Sequence, residues 1–68
     1  MMPIDEALRA CMAREGWSFA KVAATAGVAE PTARRWARGE RAMSGPGLMA
    51  LRRELPGFAD LLDGKAVA

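Results

Sequence analysis

A chain of 68 residues allows one small domain, and its single cysteine excludes an internal disulfide. With no histidine beside Cys11, the usual zinc sites and Cys-His catalysis are excluded too, and a reducing, cytoplasmic setting is favoured. The net charge of +2 is unevenly spread, −1 over residues 1–20, +5 over 21–53 and −2 over 54–68, which suits a face that meets a polyanion but equally suits uneven salt bridging.

Helix formers dominate and no strand pattern appears, so glycine and proline divide an all-α chain into five short pieces. The acidic start MMPIDEALRA lacks the basic region of a signal peptide. No apolar run approaches the roughly 18 residues of a membrane span. The first piece runs from about Pro3 to Glu15, with Pro3 in the first turn and Asp5 and Glu6 complementing the helix dipole. Ile4, Ala7, Leu8, Cys11 and Met12 form its buried stripe, which makes Cys11 a small buried hydrophobe. Gly16 stops it.

Ser18 is placed to cap the second piece, SFAKVAATA, with Trp17 packing back as a hydrophobic staple. Phe19, Val22, Ala23 and Ala26 make its apolar face. After a tight turn at Gly27-Val28-Ala29 comes the third piece, EPTARRWAR, closed by Gly39. Ala33 and Trp36 share a face with Val28, while Arg34, Arg35 and Arg38 point the other way. Trp36 is expected to be the inner-face anchor of this helix. A loop with Ser44 as cap leads to a fourth helix on Leu48, Leu51 and Leu55. Pro56 breaks it and starts a fifth, whose stripe is Phe58, Leu61 and Leu62 before the stop at Gly64. One domain thus spans 1–64, and residues 65–68 are expected to be a frayed tail.

The unit FAKVAATAGVAEPTARRWAR carries the chemistry. Two short helices joined by a tight glycine turn define a helix-turn-helix. That geometry needs a small residue at the crossing (Ala23), a turn residue four positions on (Gly27), an apolar residue after it (Val28) and two inward residues on the second helix (Ala33, Trp36). All five fall in register.

The unit resembles the Cro/repressor-type helix-turn-helix of the λ-repressor-like or XRE-like regulators of bacteria and phage. One helix precedes it and two follow, as in that five-helix fold. GVAEPTARRWARGER is similar to the family's turn, recognition helix and following glycine, and MSGPGLMALRREL to the start of its fourth helix. The resemblance implies a compact bundle of about five helices that binds double-stranded DNA. It implies base contacts from Glu30, Pro31, Thr32, Arg34 and Arg35, and phosphate contacts from Ser18, Lys21, Arg38 and Arg41. Phe19 departs from the polar residue, commonly glutamine, that the family often carries there. Arg52 and Arg53 are either solvated or peripheral to the DNA face.

The function expected is a sequence-specific regulator, most simply a homodimeric repressor located in the cytoplasm with the nucleoid. A palindromic operator would pair two copies with half-sites roughly 34 Å apart. The last helix, through Phe58, Leu61 and Leu62, is the candidate dimer interface. Neither an enzyme, a cofactor, a metal nor a small-molecule effector is indicated. The competing readings are a phage-type architectural or recombination-directionality factor, and a helical protein-interaction module such as an antitoxin or adaptor.

Overall fold

The computed structural model describes residues 2–64; the tail expected at 65–68 lies outside the described residues. Five helices follow in order: α1 Ile4–Glu15, α2 Phe19–Ala26, α3 Glu30–Arg38, α4 Gly45–Glu54 and α5 Phe58–Leu62. No strand occurs among the described residues. None of their helices is long and apolar enough to cross a membrane.

Local chemistry sets the boundaries. Pro3 is the residue before α1 rather than within its first turn: its ψ of 149° is extended, and the first helical backbone is that of Ile4. Ser18 and Ser44 cap as their positions suggest. Each hydroxyl oxygen accepts from a backbone N–H three residues on, Lys21 at 3.1 Å and Gly47 at 3.2 Å. Ala29, before α3, has no hydrogen-bonding side chain to offer. Pro31 offsets this in part, because a proline in the first turn removes one N–H that would otherwise lack a partner.

The core draws on every element: Ala7, Leu8, Cys11 and Met12 from α1, Val22 and Ala23 from α2, Ala33, Trp36 and Ala37 from α3, then Leu51, Leu55 and Phe58. α2 packs against α3 and α4, α1 against α3 and α5, and α4 against α5. Small residues allow the closest approaches. A Cβ added at Gly47 would lie 2.7 Å from Cη2 of Trp36, so a glycine lets α4 come down on the indole. Burying each large side chain such as Leu51 or Phe58 contributes about 1.5–3 kcal/mol.

Three further residues differ from expectation. Ile4 belongs to the stripe by spacing but is 39% exposed, because the first turn of α1 extends to the rim of the core. Leu48 is only half-buried, whereas Leu51 and Leu55 are buried as expected. Phe58 has no exposed surface at all. It is therefore a core residue of its own chain and has no surface to offer the expected dimer interface. Cys11 is buried, and desolvation pushes its thiol pKa up.

Candidate nucleic-acid interface

α3 has two faces of opposite chemistry. Ala33, Trp36 and Ala37 are buried. Pro31, Arg34, Arg35 and Arg38 are exposed and recur at i, i+3, i+4 and i+7, so they form one outward stripe. Glu30 and Thr32 flank it, half-buried.

The joint with α2 is a three-residue turn. Gly27 takes φ 73°, the left-handed region that a side chain enters only with strain. Its N–H and that of Val28 both donate to the carbonyl of Ala23, the latter at 3.0 Å. These bonds satisfy the end of α2 and send the chain directly into α3. Val28 packs against the core behind the turn.

The far end of α3 is tied down by a residue that the periodicity did not single out. Arg9 of α1 donates through Nη1 to the carbonyl of Ala37. The same guanidinium pairs with Asp5 at 3.3 Å. A cation on the last carbonyls of a helix satisfies groups with no intrahelical partner and complements the dipole. The Asp5–Arg9 spacing of four was visible in the sequence. Its reach into α3 depends on how α1 docks, which spacing does not encode.

Charge pairing separates the basic residues into two sets. Six arginines have a carboxylate partner: Arg9 with Asp5, Arg14 with Glu15, Arg34 with Glu30, Arg38 with Glu40, Arg52 with Asp63 and Arg53 with Glu54. Among the described residues Lys21, Arg35 and Arg41 have none. All three lie between the first turn of α2 and the loop after α3. Of the +5 excess in the middle of the chain, two charges are therefore met by the acidic C-terminal end, Arg52 by Asp63 and Arg53 by Glu54, and three stay unpaired.

The expected contact residues divide accordingly. Arg34 donates from Nη2 to Oε1 of Glu30 at 2.6 Å, and its guanidinium carbon lies 5.6 Å from the centre of the Phe19 ring. Glu30, Arg34 and Phe19 are thus brought together across the α2–α3 joint. Lys21 places its ammonium 4.7 Å from the centre of the Trp17 ring. Ser18 uses its oxygen lone pair on the Lys21 N–H and keeps its own O–H to donate. Arg38 sits 3.7 Å from Glu40, a loose and exposed pair. Arg41 stands apart, beyond the C-terminal end of α3 beside the start of α1.

Arg41 lines a cavity of about 310 Å³ together with Ile4, Asp5, Trp36, Gly39, Ala42 and Met43. Trp36 is buried, as expected for the anchor, and its Nε1–H has no hydrogen-bond partner among the described residues. No group of three or more His, Cys, Asp or Glu among the described residues is placed to hold a metal ion.

Of the three residues assigned to a dimer contact, Leu61 and Leu62 remain half-buried and Phe58 is covered. Arg52 holds the segment in place by donating to both carboxylate oxygens of Asp63 at 3.1–3.3 Å. No family model, curated protein or solved structure matches the chain.

Proposed function

We propose that the protein is a sequence-specific DNA-binding regulator, acting as a homodimeric repressor that reads a palindromic operator through α3. The observation that carries this reading is the outward stripe of Pro31, Arg34, Arg35 and Arg38, in which Arg35 has no carboxylate partner among the described residues, with two more unpaired cations in the flanking segments, Lys21 in α2 and Arg41 in the loop after α3. An α-helix fits the roughly 12 Å width of the major groove. The buried face of α3 keeps the helix fixed, so its outer residues meet base edges in one register. Arg34 and Arg35 suit the O6 and N7 acceptors of guanine, with Glu30, Pro31 and Thr32 beside them at the start of the helix. Ser18, Lys21, Arg38 and Arg41 suit phosphate oxygens, which position the protein without reading sequence.

A domain this small makes few contacts alone, so two copies on a palindrome supply the affinity. Leu61 and Leu62 are the part of the last helix left for that pairing. Nucleoid-associated, cytoplasmic location follows from the same reading.

The test is binding to genomic fragments, including the chain's own promoter, at two salt concentrations, with the wild type and the Arg34→Ala/Arg35→Ala variant. Selective binding that weakens with salt and collapses in the variant supports the regulator. Salt-dependent binding without sequence preference indicates an architectural factor instead. Lack of binding at moderate salt removes the DNA reading and leaves a protein-interaction module.

A further inference from the structure

Arg34 and Arg35 are neighbours on the same exposed stripe, yet their surroundings differ. Arg34 is held on two sides: the carboxylate of Glu30 accepts from Nη2 at 2.6 Å, and the Phe19 ring lies under the guanidinium at 5.6 Å. Arg35 has neither a carboxylate partner nor an aromatic platform among the described residues. We infer that the two arginines divide the labour of binding, with Arg34 the sequence-reading side chain, Glu30 and Phe19 its positioning residues, and Arg35 a mobile cation that chiefly answers the phosphate charge. This rests on the proposed DNA-binding function and narrows it, because Glu30 then acts through Arg34 rather than on a base of its own.

The chemistry follows from the donors. A guanidinium has five N–H groups in a rigid plane. Glu30 takes one, and a bidentate contact to guanine needs two, so enough remain after the clamp is made. Holding the plane in advance removes rotamer freedom that binding would otherwise have to remove. The Glu30 carboxylate also cancels the charge of Arg34, which weakens its pull on phosphate at any sequence. Arg34 is thereby biased towards geometry and Arg35 towards charge. The clamp spans both motif helices, since Phe19 is the first residue of α2 and Glu30 the first of α3. An ordinary i, i+4 helix pair needs no third member on another helix.

The experiment is selection of preferred sequences from a random duplex library, with affinity for the selected and for random duplex measured against salt. The variants are Glu30→Gln, Phe19→Leu, Phe19→Tyr, Arg34→Ala and Arg35→Ala. Arg34→Ala is expected to erase the preference at one base pair and leave the salt slope nearly unchanged. Arg35→Ala is expected to keep every preference and make the slope shallower by about 1. Glu30→Gln is expected to bind random duplex more tightly while selecting less sharply, opposite signs that loss of fold does not produce. Phe19→Leu, which keeps an apolar side chain against the core, is expected to lose about two- to fivefold in selectivity, as fits an exposed cation–π contact. Phe19→Tyr retains the ring and is expected to retain selectivity. A wild type that binds no DNA overturns the inference together with the proposed function. A selective wild type whose preferences are untouched by both Glu30→Gln and Phe19→Leu overturns the inference alone.

Discussion

Arg9 and Arg35 are both solvent-exposed arginines, and the fold uses them in opposite ways. Arg9 lies between α1 and the end of α3, its guanidinium committed to the Ala37 carbonyl and to Asp5. Arg35 stands on the outer face of α3 with no carboxylate partner among the described residues. The same division runs through the apolar residues of the last helix, where Phe58 is consumed by the core and Leu62 keeps part of its surface. Residue type alone therefore says little about duty. What a side chain has left over after folding says more, and around α2 and α3 the surplus is positive charge.

Substitutions at these paired positions sharpen the contrast, and the largest effect is expected in the core. Phe58→Glu puts a carboxylate where no water reaches, and should cost more than about 4 kcal/mol and leave the chain unfolded by circular dichroism. Leu62→Glu should stay folded, and ultracentrifugation should find it a monomer and the wild type, on the proposed function, a dimer. A folded dimer in both variants would remove the last helix from any interface.

The arginines come next. Arg9→Ala leaves the Ala37 carbonyl without its donor, and with the side chain half-exposed the loss should be about 1 kcal/mol. In a domain of this size that lowers Tm by about 4–8 °C. Arg35→Ala should leave stability within about 0.5 kcal/mol of wild type. Equal thermal shifts in the two variants would mean that Arg9 and Arg35 serve the fold alike.

The smallest effect concerns Cys11. Its folded-state pKa is raised by burial, so the stability linked to its thiol is complete below the unfolded pKa, about 8.5. It declines as pH rises from there through the folded value, because the unfolded chain releases the proton first. A urea midpoint that falls above pH 8.5 in the wild type and falls less in Cys11→Ala is the expected pattern.

Much of the architecture was legible beforehand because it is written locally. The hydroxyls of Ser18 and Ser44, the glycine turn at Gly27 and the inward placement of Trp36 all follow from spacing and backbone chemistry within one or two turns. The features that were not legible are contacts between elements distant in sequence. Arg9 reaches Ala37 across 28 positions. Arg34 reaches Phe19 across α2, the turn and half of α3. Phe58 belonged to a stripe that periodicity alone divides no further, and only the seating of α5 against α1 and α4 decides that it faces inward. Ile4 fails the other way: its stripe outlasts the partners that cover it.

On the proposed function, the cations left without carboxylates form a surface for DNA. The decisive measurement is binding to a duplex against salt for the wild type and for the Lys21→Gln/Arg35→Gln/Arg41→Gln variant. Wild-type affinity should fall linearly with salt on a logarithmic plot, and the variant's slope should be shallower by about 3, one unit per cation, with an unchanged Tm. A wild type with no salt-dependent binding, or a folded variant whose slope matches it, would contradict the claim.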